Sequence, residues 1–524
     1  MLYSLAHNYL IMDSSGVVLT IAVVIVCIGW TLRARTESSV HRLPLPPEPG
    51  RAFRDWINDF GLTFRIQAAL KAPDILVLSD PLGIAHIVQK KIYDYHHSKI
   101  VRPRVARLLG RGLGWVEGES EHKRMRRLVT PSLTAENIKA MSVDLTEAAS
   151  KVLSDLVHTV QSDGGRCKVN VLTWTNKATL NIIGRVAFMH DFESGNSAEA
   201  RDILGARRAG VSAISKYTGF LTLMQPFSLA LHGKWSRENI TSVMAAPKAE
   251  QKDLLSRLLI AVGEKELSEA ELYEHISTFI IAGQETTSQT IAFSLMELAR
   301  HPKIQQRLRE ELKTISGEPT YEDFQSKLPY LDAVLRETLR IYPPLPYFER
   351  VAMKPDVIPL RYAVRLPNGQ EMHEVHIQAG QTVIIPTMSL QRLDSVWGDG
   401  EVFRPERWLE QLPPQEKLCS GWSNTLSFSD GPRACPGQRL AIFEYKVILS
   451  ALVSRFVMED TGAKMLYKIA SSLQPLVEGE QEKGFFVDNK SEDKMFAIMC
   501  LLCHASLSPT KTNLQTATSF RRFK

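Results

Sequence analysis

The chain has 524 residues, 44% hydrophobic and 23% charged, a composition that rules out disordered, collagenous and coiled-coil classes and leaves an ordinary globular protein. A net charge of +6 is too slight to argue for nucleic acid and fits an acidic partner or a membrane surface instead. Six cysteines in so long a chain do not make a secreted disulfide framework, so a reducing compartment is expected.

In chain order, residues 1–15 precede an uncharged run of seventeen, residues 16–32, GVVLTIAVVIVCIGWTL. At 1.5 Å per residue it spans about 25 Å, enough for a transmembrane helix once its apolar flanks are counted. Arg33, Arg35 and Arg42 follow it, which predicts a single-pass anchor with the body on the cytoplasmic side. The basic residues lie on the wrong side for a cleaved signal peptide, and no small-x-small site follows. Residues 33–50, with Pro44, Pro46, Pro47 and Pro49, read as a stiff hinge.

Residues 51–483 then read as one large domain, mostly α with small β-sheets (α+β). Helical periodicity dominates from about residue 134 to 339, and strands are expected near 75–78, 351–364 and 382–385. The segment Gly118–Glu–Ser–Glu–His122–Lys–Arg–Met–Arg126 concentrates cations. Residues 276–300 predict one long buried helix that nevertheless contains Gly283, Glu285, Thr286 and Thr287. Such residues are poor choices for a helix interior, and local rules broken in a core mark function. A glycine there permits close approach to a flat ligand, a threonine hydroxyl can hold a water, and a carboxylate can relay protons. In a helical run over 331–341, Glu337 and Arg340 share a face; alone, such a pair reads as a surface ion pair. Arg350 follows a proline-rich turn.

The segment Phe428-Ser-Asp-Gly431-Pro-Arg433-Ala-Cys435-Pro-Gly437, just before a helical pattern over 438–449, carries most of the chemistry. Its two glycines let the backbone turn tightly and aim amides at a sulfur. A helix starting after Cys435 is expected to lower the thiol pKa. Arg433 offers a cation, and Phe428 a cover for the sulfur.

This loop resembles the haem-binding signature of the cytochrome P-450 family, FxxGxRxCxG, at every fixed position; chance would match it in roughly one chain in ten thousand. The resemblance extends to the A/G-G-x-D/E-T motif at Ala282–Thr286, to ExxR at Glu337 and Arg340, and to a later loop with Arg407 as third member and Arg404 in reserve. It also reaches the WxxxR helix, where His122 stands in place of tryptophan and Arg126 matches the arginine. It implies a P-450 fold behind the anchor and haem b ligated by the thiolate of Cys435. Cofactor contacts would come from Phe428, Gly431, Arg433, Gly437, His122, Arg126, Arg350 and Gly283, and proton delivery from Thr286 and Glu285. The ion network of Glu337, Arg340 and Arg407 would brace the cysteine loop. By the same resemblance NADPH electrons arrive through a P-450 reductase or a small haem carrier, with Lys123, Arg124 and Lys446 as docking cations. An apolar small molecule would be oxidised by one atom of O2 at the endoplasmic reticulum membrane, as in fungal microsomal enzymes of secondary metabolism or xenobiotic attack. Pocket walls would come from residues 95–115 and 206–247, Phe279 and Leu345. Other readings are a haem-thiolate isomerase or dehydratase that does not use O2, which commonly lacks the threonine, and an inactive haem-binding membrane protein.

Cys500-Leu-Leu-Cys503-His504 spells the attachment signature of c-type haem, but its apolar context reads as packed helix or strand. Residues 484–524 leave the resemblance, as an extension or as intron-derived sequence.

Overall fold

A computed structural model describes residues 53–67, 73–164, 168–205, 253–460, 462–463, 465–469, 472–477, 486–492 and 495–501. The expected anchor (16–32), the hinge (33–50), the pocket wall 206–247 and Cys503-His504 lie outside them. Among the described residues no helix is long and apolar enough to cross a membrane. The chain is predominantly helical with small sheets, as its periodicity predicts, and divides into two compact units.

The first unit draws its described residues from Met1–Leu128, Leu339–Val402 and Glu410–Gln438. Its centre is a five-stranded sheet in the order Thr63–Ile66, Ile75–Leu78, Thr382–Ile385, Phe348–Ala352, Tyr95–His96. The strands at 75–78 and 382–385 coincide with the sequence reading. The single strand read over 351–364 is instead two, Phe348–Ala352 and Asp356–Arg365. They pair with different neighbours, the second forming a bulged hairpin with Glu371–Ile377. Phe64, Leu76, Leu78, Ile358, Val375 and Val383 bury one shared apolar layer. Register places chemistry at the sheet edge. Tyr95 pairs Ala352 and His96 pairs Val351, so the next residue on one side, His97, comes level with Arg350 on the other. Asp80 caps the short helix Pro81–Ala85, accepting from Leu82 N and Gly83 N, and also accepts from the Arg361 and Tyr362 amides. That helix runs into a π-helical turn, His86–Lys90, which backs the cysteine loop.

The second unit, from Val129–Thr338, Phe403–Leu409 and Arg439–Lys524, is built around the helix Glu269–Arg300. This helix starts seven residues before its apolar pattern, because Ser268 and Glu271 form a reciprocal capping box that satisfies two orphan amides. Its 32 residues extend about 48 Å. Nearly every side chain from Thr287 to Ala299 is buried, which explains an apolar pattern with no clean solvent face. The helices Ser142–Ser162, Val171–Phe188 and Gln438–Arg455 belong to the same unit. A four-stranded sheet in the order Lys168–Asn170, Phe486–Glu492, Met495–Leu501, Phe456–Asp460 also belongs to it. Part of the divergent tail is thus a β-hairpin on the strand Phe456–Asp460, and Cys500 lies in its second strand.

Candidate functional site

In the first unit, the turn carrying Cys435 is tied down by its own backbone and by the π-helical turn. Cys435 N donates to Phe428 O at 2.9 Å and Ala434 N to Gly431 O at 3.0 Å. Gly431 has φ +67°, and a Cβ there would lie 2.2 Å from Val88 O, so only glycine fits. Asp430 accepts from Gly431 N and from Gln89 Nε2, each at 2.7 Å. Deeper in the loop, Leu426 N donates to Gln391 Oε1 at 2.7 Å and Ser427 Oγ to Leu339 O at 2.7 Å.

The two glycines do different work. Gly437 has open space where a Cβ would stand, so the tight turn asks nothing of it. Its backbone amide, close to the Cys435 sulfur, favours the thiolate. Surrounding protein raises the thiol pKa, and the Gly437 amide and the Arg126 charge only partly oppose this. The Cys435 side chain itself keeps an exposed face. Phe428 sets its ring edge-on against Trp422, with centroids 5.3 Å apart; its carbonyl is what holds Cys435.

Cations gather beside this turn. Arg126 Nη1 donates to Ala434 O at 2.6 Å. Arg433 lies 3.5 Å from Glu117 Oε2, its Cζ is 5.5 Å from the Tyr93 ring centroid, and its Nε is buried without a partner. Burial, opposed by Glu117 and aided by Arg433, lowers the Arg350 pKa to about 10. His122 is 2% exposed, with Nδ1 3.1 Å from the Tyr93 hydroxyl. Burial, then Arg433 and Arg126, push it down to about 4, so it is neutral at pH 7.

Two members of this cluster escape sequence reading. His97 presents both its backbone N (2.9 Å) and its Nδ1 (2.7 Å) to Glu117 Oε1. Burial holds His97 below its ordinary pKa. Glu117 is raised by burial but carried below the usual carboxylate range by His97 and Arg433. No spacing signals them, since the strand register and the turn before residue 119 bring them together. Three guanidiniums, Arg126, Arg350 and Arg433, thus gather near Glu117, with the Glu349 carboxylate acting more weakly on Arg350. Such crowding is costly unless an anion joins it.

The helix Pro329–Ile341 carries two buried charged groups, Glu337 and Arg340, each 0% exposed. Arg340 donates to the carbonyls of Gln391 (2.8 Å) and Gly400 (2.7 Å), and its guanidinium lies 5.1 Å from the Trp397 ring centroid. In the second unit, Glu337 accepts from Arg407 Nε at 2.9 Å, from Arg404 through its backbone N at 2.9 Å, and from Trp408 Nε1 at 3.0 Å. A surface ion pair, which ExxR spacing alone would favour, is excluded by this burial.

On the long helix of the second unit, Thr286 Oγ1 donates back to Ala282 O at 2.7 Å, and Glu285 is buried. Gly283 has a local reason of its own, because a Cβ there would meet Ile183 Cδ1 at 2.8 Å. Gln284 and Ser288 both bond Asn176 Oδ1 on the neighbouring helix. Glu444, one helix over, is a buried carboxyl pushed well above its usual range by burial.

One expected docking cation is corrected. Lys446 is buried, 2.8 Å from Asp332 Oδ1 and 3.0 Å from Phe324 O, so it braces the interior and faces no partner. Lys123 and Arg124 lie on the helix Glu119–Val129, paired with Glu119 and Glu121. Leu345 is exposed and Phe279 stacks on His275.

Comparison with known proteins gives the site a context. The family model described as Cytochrome P450 matches residues 47–475. A cytochrome P450 monooxygenase of Ampulloclitocybe clavipes, claP, is 31% identical over 445 residues, which is 79% of this chain and 82% of the relative. A second from that fungus, claW, is 30% identical over 78% of this chain and 81% of its own length. Cytochrome P450 monooxygenase 205 of Postia placenta is 30% identical over 82% and 86%.

Proposed function

Since the chain belongs to the cytochrome P450 family and is a P450 monooxygenase, we propose that Cys435 is the axial thiolate of haem b and that an apolar small organic molecule is the substrate. One observation carries the assignment: the Cys435 turn stands beside three guanidiniums, of which Arg126 bonds Ala434 O and Arg433 has a buried Nε without a partner. The residues fit the group. A porphyrin brings two acidic side chains, and an excess of partly buried cations is what those acids need. Arg126, Arg350 and Arg433 would hold them, with neutral His122 as a hydrogen-bond donor kept in place by Tyr93.

When bound, haem supplies dioxygen binding and activation, and a thiolate ligand favours O–O cleavage. This chain's residues do the rest. The Gly437 amide steadies the sulfur's charge. The Asp430–Gln89 contact and the Arg340 and Gln391 bonds hold the loop rigid, so the sulfur keeps its direction. Thr286 Oγ1 and the Glu285 carboxyl are the proposed proton donors. Gly283 keeps its helix close to Ile183 and so fixes where Thr286 stands. The threonine also speaks against an isomerase or dehydratase.

The finer reading follows the sequence. Residues 16–32 would anchor the chain in the endoplasmic reticulum membrane, with residues 51–483 as the cytoplasmic domain. Electrons would come from NADPH through a reductase or a small haem carrier, and the substrate would be a secondary metabolite or a xenobiotic. Two variants test the core of the proposal. Cys435→Ser is expected to abolish the thiolate-type band of the reduced CO complex, and a persisting band refutes the ligand assignment. Thr286→Ala is expected to consume NADPH with product falling about tenfold or more; unchanged coupling removes its proton role.

A further inference from the structure

Glu117 is a carboxylate in a place built for another. It accepts twice from His97 and lies 3.5 Å from Arg433, within the cluster proposed to hold the acidic edge of the porphyrin. A carboxylate here weakens the pull on an incoming anion, so a role confined to gripping the cofactor gives no reason for one. Its hydrogen bonds explain how it is held. They do not explain why a charged group is used, because a neutral amide would accept from the same two His97 donors.

Resting on the haem assignment above, we propose that Glu117 sets the reduction potential of the bound haem by cancelling part of the guanidinium charge along its acidic edge. One-electron reduction of the ferric centre adds a negative charge to the iron–porphyrin unit. The electron comes from the reductase of the proposed activity, and no covalent bond changes. A nearby fixed carboxylate opposes that added charge, and guanidiniums favour it. In a partly buried site such terms are screened far less than at a surface. The charged groups facing Glu117 are Arg433 on the cysteine loop, Arg350 on its strand, and His97 at the sheet edge. His97 is held neutral by burial and by the same arginines, so it does not supply the cancelling charge. Glu117 is therefore a tuning residue, acting through the field and not by touching reacting atoms.

The test is a spectroelectrochemical titration of the full-length, haem-loaded protein with dithionite as reductant. Glu117→Gln keeps the acceptor for His97 and removes the charge. Its midpoint is expected to move upward, with the ferrous-to-ferric ratio at the wild-type midpoint rising on the order of fivefold to tenfold. Glu117→Asp, which keeps the charge, is expected to stay near wild type. A potential unmoved or lowered in Glu117→Gln overturns the proposal. If that variant fails to load haem, the isosteric pair Glu117→Asp and Glu117→Asn repeats the comparison, and equal potentials in the two overturn it. Failure of the parent reading has a different signature: wild-type protein without the thiolate CO band, which overturns both.

Discussion

Burial decides what each charged residue does in this protein, and Glu444 gives the plainest case. Its carboxyl lies in the interior, with Oε1 lacking a hydrogen-bond partner, and burial raises its pKa well above 4.5. The folded state therefore keeps a proton that the unfolded chain releases above about pH 4.5. The sign follows: this group's contribution is whole below that pH and is lost as pH rises toward its elevated folded value. Glu444→Gln has no proton to lose, so its melting temperature relative to wild type should be higher at pH 8 than at pH 5 by a few degrees, as read by scanning fluorimetry. An equal difference at both pH values would mean that the carboxyl ionises freely in the fold. His122 shows the same force with the opposite sign, since burial and two arginines hold a cation-former neutral. In the proposed haem site a neutral imidazole bonded to Tyr93 would provide the polar contact, though not the packing area, of a tryptophan.

Elements turn these side chains into a frame. The short helix Pro329–Ile341 reads in sequence as an amphipathic segment with one i,i+3 pair, yet both members are fully buried and each satisfies several backbone or side-chain groups. Removing one partner of such a set strands the others. Glu337→Ala leaves the Arg407 guanidinium and the Trp408 indole without that acceptor, and is expected to cost about 3–5 kcal/mol. Denaturant unfolding measures it, and haem content should fall in parallel; a cost below about 1 kcal/mol would return the pair to the surface class. Boundaries were less legible than elements. The long helix begins at Glu269, fixed by the Ser268 capping box, whereas apolar periodicity begins only at 276. The strand read over 351–364 breaks at Lys354 and Pro355, because its two halves pair with different strands.

At the scale of the molecule, the family match ends at residue 475 while the β-structure continues. The hairpin Phe486–Glu492 and Met495–Leu501 pairs in parallel with Phe456–Asp460, where Phe456 and Met458 are buried. A strand edge left unpaired is an aggregation template. Truncation after residue 477 should therefore lower soluble yield several-fold and lower the melting temperature. Yield and stability equal to the full chain would show the hairpin to be dispensable, as a misjoined tail would be. The sequence alone determined the helical class with small sheets, the cysteine and its loop, and the helix that interrupts its apolar pattern with Gly283, Glu285 and Thr286. Those signals are local, arising from spacing, turn chemistry and periodicity within a few residues. Tertiary structure alone decided that Lys446 is internal and that Gly283 packs against Ile183. It also assigned Arg407 to Glu337 through its side chain and Arg404 through its backbone amide. The pairing of His97 with Glu117 belongs to the same class. These facts depend on what stands opposite a residue after the chain has returned from dozens or hundreds of positions away, and on how much water is then left beside it; neither is written in the neighbourhood of the residue itself.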